Sequence, residues 1–585
     1  MRTGHRLLSL SPLLWLAVSL LMAQLAVAAI EPDFLMDSDP EIPVPQPVRN
    51  FNPLMAELWV AALERPETDM QRMAAETISR AHQLGMPDLR KAVPRLEEIV
   101  QSASSHPAAR FAAARALIML ESRSSSEKLF DASQAFGSDL RQLIEPALAD
   151  WNFGPAKTMW IDRLGASETR PRDLVLAVRG LGQVRESSAL PRLLSIAGDM
   201  SREPEIRLEA ATAAGRIADT SLEGDADRLA RNTRTPLFVN QMCAIRLLAR
   251  QNGDAARQLL VDLAGHAEPV VAAAALVRLN EIDSALAAPL ALSAMISPDQ
   301  HVRRQGALCY LRLPTDDRIG PLSQLLADAD PGIRREVCEG LFRLGTKPEW
   351  SAPIRDAALQ VLAEDRWQGQ EQAALLLGVL EHQPAANRLV ELLESPRREV
   401  RVAAAWALRK VAVSETIPAL IDKAKRQTEF RQHHVEPGLD QQVAHLFEAL
   451  GVLQAEDAAP LMIQYIPKRT IMGERSRSAA IWALGRLKEG TRDAELELAF
   501  SDRIADFPER NPESDLVKQM CAIALVRMQA EDQAPLIREI VATEFLSLPL
   551  GIALRWAVKQ LTGEDLPPPD PPIVSQDTWF LEPYP

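Results

Sequence analysis

The sequence predicts an all-α fold in which about fifteen helical hairpins stack into an α-solenoid. Three observations support this prediction. One helical pattern recurs every 31 to 42 residues, prolines stand where helices would begin, and only 5% of the residues are aromatic, so Ala, Leu, Val and Ile must build the core. A two-helix unit of roughly 32 residues cannot bury its apolar face alone, whereas stacked copies bury a continuous core.

The longer helix of each hairpin follows a template that is clearest in SPRREVRVAAAWALRKV, Ser395–Val411. Its apolar residues fall at helical spacing, and the small residues at positions 4 and 5, Ala404 and Ala405, should let successive helices approach closely. With Val400 as position 0, equivalent residues are Met73, Ala109, Leu140, Asp173, Ile206, Val239, Val271, Val302, Ile333, Gly369, Gln442, Ser476, Val517 and Leu550.

A shorter helix precedes the longer one in most repeats, as in ALPRLLSIA from Ala189 and IGPLSQLLA from Ile319. Prolines such as Pro191, Pro321 and Pro204 mark the helix starts, because the first helical turn does not need the amide that proline lacks. Apolar residues almost never alternate at period two, so we expect no β-strand.

Residues 1–28 are predicted to be a Sec-type signal peptide. A basic start precedes an apolar run from Leu7 to Leu25, and Ala26-Val27-Ala28 supplies the small-x-small pattern of a cleavage site. The chain is therefore expected to be exported to the periplasm or the extracellular space. The alternative is an uncleaved N-terminal anchor, because the apolar run approaches the length of a membrane span.

Three further parts follow the predicted signal peptide. Residues 29–53 are acidic and rich in proline and are predicted to be extended. Residues 54–563 form the predicted solenoid. Residues 564–585 form a proline-rich tail with aromatic residues at its end, which either cap the last repeat or dock onto another protein.

The repeat pattern resembles a known family. The pattern consists of Pro, then Val/Ile-Arg, then an Ala-rich helix that ends Ala-Leu-Gly-x-Leu. It is similar to HEAT repeats of the phycobilisome-lyase-like type, in an exported bacterial form. The segment Trp482–Leu487, WALGRL, is close to the family consensus. The resemblance covers about 510 residues, Leu54 to Gly563. It implies an armadillo-type superhelix, but HEAT repeats serve many unrelated tasks, so it says little about function.

An arginine recurs at position 1, in the first helical turn, where the helix dipole disfavours a cation. The resemblance implies that these arginines form a structural ladder, bonded to carboxylates and carbonyls of turns in the same or the next repeat. In five of the six, an acidic residue precedes the arginine within four positions. The ladder residues are Arg110, Arg207, Arg303, Arg334, Arg401 and Arg477.

A second basic row lies at position 10. Equal phase places these residues along one line of the solenoid, on its concave side, where such proteins bind partners. An electropositive row would suit an acidic protein segment or a polyanionic polymer; alternatively, these cations only complement the dipole at the helix end. Trp406 and Trp482 share position 6 and are either packing residues or anchors for a ligand. The row consists of Arg216, Arg312, Arg343, Lys410, Arg486 and Arg527.

Catalytic and metal-binding signatures are weak. His433, His434 and Glu436 lie in an insertion, with His445 on the helix that follows, but no fixed-geometry motif supports a metal site there. The sequence has no GxSxG, P-loop or dinucleotide motif, and no His-Glu pair of the kind that a HEAT-type di-iron hydroxylase uses. We therefore expect no catalytic residues, no metal and no cofactor.

The four cysteines each occur singly in an Ala/Leu-rich helical segment, without CxxC spacing. They are predicted to be small buried hydrophobic residues. A bridge between Cys309 and Cys338 of neighbouring repeats is the alternative, because an exported chain meets an oxidising environment.

The sequence thus predicts a non-catalytic scaffold that binds protein partners outside the cytoplasm. The alternatives are an enzyme or enzyme subunit of the HEAT-like lyase or hydroxylase kind with a concave-face site, and a binder of polyanions or cell-envelope polymers. A formal net charge of −14 argues against nucleic acid as a partner. After cleavage of the signal peptide, we expect no integral membrane association.

Overall fold

The structure, a computed structural model, describes residues 30–45, 48–49, 51–232, 238–431, 433–434, 436, 438–508, 511–569, 573–574 and 580. The predicted signal peptide lies outside these ranges, as do Trp579 and Tyr584 of the predicted aromatic tail. Within the described ranges the chain forms thirty α-helices and one pair of two-residue strands. No helix in the described ranges is both long enough and apolar enough to span a membrane.

The thirty helices alternate as fifteen hairpins, which confirms the predicted α-solenoid. The first helices are α1 (Pro53–Leu63), α3 (Val93–Gln101), α5 (Ser126–Ala135), α7 (Gly154–Gly165), α9 (Leu190–Gly198), α11 (Glu223–Ala230), α13 (Asp254–Ala264), α15 (Ser284–Met295), α17 (Asp316–Ser323), α19 (Pro348–Ala363), α21 (Ala386–Leu392), α23 (Ile417–Arg431), α25 (Ala459–Ile463), α27 (Ala494–Ile504) and α29 (Ala534–Thr543). The second helices are α2 (Thr68–Gln83), α4 (Pro107–Met119), α6 (Ser138–Asp150), α8 (Pro171–Gln183), α10 (Pro204–Ile217), α12 (Val239–Leu247), α14 (Pro269–Ile282), α16 (Gln300–Arg312), α18 (Pro331–Gly345), α20 (Trp367–Val379), α22 (Arg398–Val411), α24 (Leu439–Val452), α26 (Glu474–Leu487), α28 (Asp515–Arg527) and α30 (Leu548–Thr562).

The second helices are those on which the repeat was defined. All fifteen position-0 residues lie in second helices, and twelve of them are the third residue of their helix. Proline occupies the first residue of α4, α8, α10, α14 and α18, where its missing amide costs no hydrogen bond. Pro321 was predicted to begin a first helix but lies inside α17, because Asp316 and Asp317 already form an acidic first turn that favours an earlier start.

Glycine and alanine set the closest approach between successive second helices. A Cβ atom built on Gly485 would lie 2.8 Å from the Ala524 Cα, and one on Gly451 would lie 2.9 Å from the Ala483 Cβ. In each pair the glycine is at position 9 and the alanine at position 7 of the next repeat, and Gly182–Ala213 and Gly378–Ala407 repeat the contact. The predicted positions 4 and 5 are buried in α22, but the tightest contacts lie one turn later.

The chain forms two compact units. The first unit contains residues 46–306 and 571–585, and the second contains residues 1–45 and 307–570. In the first unit, β1 (Val48–Arg49) pairs in parallel with β2 (Ile573–Val574). The prediction of no strand was wrong here, because a strand of two residues is too short to show an alternating pattern.

Residues 30–45, which we call the strap, belong to the second unit and lie against α22, α24, α26 and α28. The strap is largely without regular secondary structure and contains one 3-10 turn at Leu35–Asp37. Met36 in that turn is 1% exposed, so the strap contributes to the core of the second unit.

Candidate functional site

The two tryptophans at position 6 hold the strap at two points. Trp406 in α22 is 2% exposed, and its Nε1 donates a hydrogen bond to the Asp33 Oδ1 at 2.6 Å. Trp482 in α26 is fully buried, and its Nε1 donates to the Asp39 carbonyl oxygen at 2.8 Å. A buried indole N–H needs an acceptor, and strap oxygens supply it in both places.

Asp33 joins a buried ionic network below the strap. Arg409 donates from Nη2 to the Asp33 Oδ1 at 2.6 Å and from Nη1 to the Glu448 Oε2 at 3.0 Å. The other oxygen of Glu448 accepts a hydrogen bond from the backbone amide of Met36 at 3.0 Å. Burial opposes ionisation of Asp33, but the hydrogen bond from Trp406 and the charge of Arg409 outweigh it and hold the pKa of Asp33 below its usual value.

Phe34 stacks on a buried histidine. Its ring lies 4.5 Å from the ring of His445, centroid to centroid, with an interplanar angle of 12°. Burial lowers the pKa of His445, and the hydrogen bond with Glu448 only partly opposes this shift, so the imidazole is neutral near pH 7. On the outer side, the Arg475 guanidinium lies 4.7 Å from the Phe34 ring centroid and contacts both carboxylate oxygens of Asp37 at 2.8 Å.

Asp39 is held by two position-10 arginines. Arg486 in α26 donates to the Asp39 Oδ2 at 2.8 Å, and the Nη2 of Arg527 in α28 lies 2.8 Å from the same oxygen. Arg527 also donates to the Asp39 carbonyl at 3.1 Å. Both guanidinium groups lie near the Trp482 ring, 5.2 and 5.3 Å from its centroid. Burial lowers the pKa of Arg527, although the charge of Asp39 opposes this effect.

The position-10 row therefore divides into two groups. Lys410, Arg486 and Arg527 face the strap, with the Lys410 Nζ 5.5 Å from the Trp406 ring centroid. The other three lie at the ends of their second helices with exposed side chains, and they are Arg216, Arg312 and Arg343. Arg216 lines a groove of about 1400 Å³ in the first unit, together with Glu205 and Arg246.

The position-1 arginines all donate to backbone carbonyls of the preceding segment, which lie in the connection before their own helix except for the Arg207 acceptor, Ala197, in the last turn of α9. The acceptors are Ser102 and Ser105 for Arg110, Ala197 for Arg207, Ser297 and Pro298 for Arg303, Asp328 and Ala329 for Arg334, Ser395 and Pro396 for Arg401, and Tyr465 and Ile466 for Arg477. These bonds satisfy carbonyls that would otherwise lack donors in a tight turn.

Several of these arginines also reach into the next repeat, and the guanidinium groups of Arg110 and Arg334 lie 3.6 and 5.9 Å from the ring centroids of Phe136 and Trp367. Arg207 bonds to Asn240, Arg401 to Glu436 and Arg477 to Glu513. The preceding acids have other contacts: the Asp299 and Asp330 side chains accept hydrogen bonds from amides at the start of their own helices. This is the usual role of an aspartate before a helix.

The pair of Arg477 and Glu513 is more buried than the other ion pair of the ladder, Arg401 with Glu436. Their side chains are 4% and 2% exposed, and two parallel hydrogen bonds of 2.8 and 2.6 Å join them. Burial opposes ionisation of Glu513, but the hydrogen bonds and charge of Arg477 keep its pKa below the usual value. The pair ties α26 to the loop that precedes α28.

The histidines of the insertion have separate partners. His434 stacks on Phe430 with ring centroids 4.4 Å apart, Glu436 pairs with Arg401, and His445 lies beneath the strap. Throughout the described ranges, no group of three or more His, Cys, Asp or Glu side chains is placed to hold a metal ion.

The four cysteines are buried, and none forms a disulfide in the described structure. Burial raises the pKa of the Cys243 thiol to about 11 and that of Cys338 to about 12. These thiols are therefore protonated and unreactive near neutral pH.

Several residues that hold the strap were not anticipated from the sequence. Arg409 and Arg475 fall outside the repeated positions 1, 6 and 10, Glu448 shares position 6 with the two tryptophans but was not singled out, and His445 was considered only as a metal ligand. The sequence nonetheless contained one indication that the N-terminal segment binds the second helices. The segment before the solenoid is acidic, whereas the aligned row on the second helices is basic, so the two have complementary charge.

A family model matches part of the repeat array. Residues 355–436, from α19 to the loop after α23, match the model for HEAT repeats. This part of the chain contains HEAT repeats. No curated protein matches the sequence.

Solved HEAT solenoids share the fold. The structure of the yeast importin-β Kap95p with RanGDP aligns at 14% identity and a TM-score of 0.53, over 86% of this chain and 72% of that one. A structure of importin β aligns at 13% identity and a TM-score of 0.50 over the same shares. Kap121p bound to Pho4p aligns at 11% identity and a TM-score of 0.51, over 86% of this chain and 56% of that one. At such identities the likeness concerns the fold alone.

Proposed function

We propose that this chain is a non-catalytic scaffold that binds protein segments in the space outside the cytoplasm. The observation that carries the proposal is the strap: side chains of four successive second helices bind an extended polypeptide through its carboxylates, one aromatic ring and one buried methionine. A surface that binds one such segment has the chemistry to bind others.

The solenoid neighbours support a role in protein binding. One of the solved structures is Kap121p bound to Pho4p, a HEAT-type solenoid with a protein partner. We further propose that the repeats are of the phycobilisome-lyase-like type. The support is the WALGRL segment of α26 and the recurrent contact between a position-9 glycine and a position-7 alanine.

The export part of the proposal rests on the predicted signal peptide. Cleavage after Ala28 would leave the strap within two residues of the new N-terminus. Fractionation of expressing cells, followed by N-terminal sequencing of the protein, tests this step. Recovery from the cytoplasm with residues 1–28 intact would contradict it.

Affinity capture from an envelope fraction tests the scaffold role. The full chain serves as bait, bound proteins are identified by mass spectrometry, and each is retested in purified form. We expect at least one protein that binds directly and with saturable affinity. If no direct protein partner is found, or if purified protein turns over a small molecule from the same fraction, the proposal is wrong.

A further inference from the structure

The strap contacts the second helices as a ligand contacts a receptor. Its hydrogen bonds to them join residues 373 to 488 positions apart in the sequence, and most involve a side chain of the receptor surface. Between Asp33 and Asp39, four strap residues are recognised by chemistry that fits each one: Asp33, Phe34, Asp37 and Asp39. Met36 adds a side chain that is 1% exposed.

The receptor surface, which we call the strap site, consists of Trp406, Arg409, His445, Glu448, Arg475, Trp482, Arg486 and Arg527. Arg409 and Glu448 are 2% and 0% exposed, and their ionic contact extends to the Asp33 carboxylate. A buried cation and two buried indole N–H groups need acceptors. Arg409 already pairs with Glu448, so the preference for an anionic segment comes from Arg475, Arg486 and Arg527, which pair with strap carboxylates.

We propose that the strap site recognises acidic peptides of the pattern Asp-Phe-x-Met-Asp-x-Asp that form one 3-10 turn, and that the strap is its tethered occupant, which a partner peptide displaces. The inference deepens the proposed scaffold function and rests on it. The strap closes the site in the free protein, and a partner protein that carries a matching segment opens it.

The exposure of the strap allows such an exchange. Asp37 and its partner Arg475 are 43% and 37% exposed, so their ion pair contributes only about 0–1 kcal/mol. Asp33 is 57% exposed but its partner Arg409 is 2% exposed, so a displacing peptide must supply a carboxylate in its place. The strap belongs to the same chain, and a short flexible tether gives a local concentration on the order of 1 mM. A free peptide must compete against that concentration, whereas a chain with a weakened strap presents an open site.

Fluorescence anisotropy with a labelled peptide tests the inference. The probe is IEPDFLMDSDPEIPVP, residues 30–45, and the control peptide carries Asn in place of Asp33 and Asp39. The receptors are the full chain and a full-chain strap variant, Asp33→Asn/Asp39→Asn. We expect the strap variant to bind the probe at least tenfold more tightly than the unmodified chain, and the control peptide to bind at least tenfold more weakly than the probe.

Two substitutions in the strap variant locate the binding. Trp406→Phe keeps a ring but removes the indole donor, and it should weaken probe binding severalfold. Arg343→Gln is the matched control, because Arg343 is an exposed position-10 residue outside the strap site, and it should leave binding unchanged. Circular dichroism of each variant checks that the fold is intact.

The inference is wrong if the strap variant does not bind the probe at about 1 mM peptide, the tether concentration. It is also wrong if both receptors bind the probe equally, or if the strap variant binds both peptides equally. A dimer of the unmodified chain that dissociates in the strap variant would assign the strap to a second copy and would also overturn it. If the peptide test fails while the chain still binds a purified partner directly, the inference falls and the scaffold function stands.

Discussion

Substitution of Gly485 by alanine should destabilise the protein, although alanine favours a helix. The new Cβ would lie 2.8 Å from the Ala524 Cα, whereas carbon atoms in contact prefer about 3.5–4.0 Å, so α26 and α28 must separate by roughly 1 Å. Overpacking of this kind costs about 1–3 kcal/mol, and the helix preference of alanine offsets about 1 kcal/mol. Because the obstacle is backbone, we expect a net loss of about 1–2 kcal/mol.

Gly224→Ala is the control. Gly224 lies in α11, is followed by Asp225 rather than proline, and a Cβ there would meet no heavy atom within 4 Å, so this variant should gain about 0.5–1 kcal/mol. Urea denaturation followed by far-ultraviolet circular dichroism measures both. The two midpoints should move in opposite directions from that of the unmodified protein. If Gly485→Ala is as stable as Gly224→Ala, the close approach of the two helices is not a packing constraint.

Three other predictions concern buried charge and reactivity. Arg477→Met should lower the unfolding free energy by about 3 kcal/mol, the lower end of the range for breaking a buried ion pair, because the buried Glu513 carboxylate loses two hydrogen bonds and keeps only the 3.6 Å contact with Arg503 and the Ser514 amide. Arg477→Met/Glu513→Leu should recover most of the loss in urea denaturation, and a double variant no better than the single one would argue against the pair. Since the pKa of Asp33 in the folded chain lies below its ordinary 3.8, its stabilising contribution is complete above that value and is lost as the pH falls through the folded pKa. The stability difference between the unmodified chain and Asp33→Asn should therefore shrink below pH 3.8, and a constant difference would contradict the ion pair. Cys338 should resist alkylation by iodoacetamide in the native protein and react in urea, as mass spectrometry of the modified peptides can show; rapid native modification would contradict its burial.

The fold could be predicted because fifteen copies of one pattern report the same local structure. A single weak repeat, such as the one at Met73, is ambiguous by itself, but its phase agrees with that of its neighbours. The helix starts were also predictable where proline marks them, and Pro321 shows the limit, because an acidic turn upstream competed with it. The tight contact at positions 7 and 9 was not identified, since Ala-rich helices offer several small positions and only the helix orientation selects among them.

The strap site could be predicted only in part. Trp406, Trp482 and the basic row were recognisable because they repeat at fixed phase, but their ligand is not periodic. The docking of residues 33–39 onto helices almost 400 residues later depends on complementarity in three dimensions, which no local pattern reports. Arg409 and Glu448 illustrate the difficulty: in the sequence they look like ordinary charged residues of helices, yet both are buried.

The packing of position-9 glycines on position-7 alanines also sets the distance between successive second helices. That distance determines which residues of a bound segment can contact each helix. Trp406 and Trp482 stand two hairpins apart and bind Asp33 and Asp39, six residues apart. With the 3-10 turn at Leu35–Asp37 rising about 2 Å per residue and the other residues about 3.3 Å each, this segment spans roughly 16 Å, and two steps between packed helices at about 8–10 Å cover a similar distance. About three peptide residues thus pass each hairpin, so the number of residues between the two aspartates must match the spacing between the helices. One inserted residue would move the second aspartate away from the arginines that bind it.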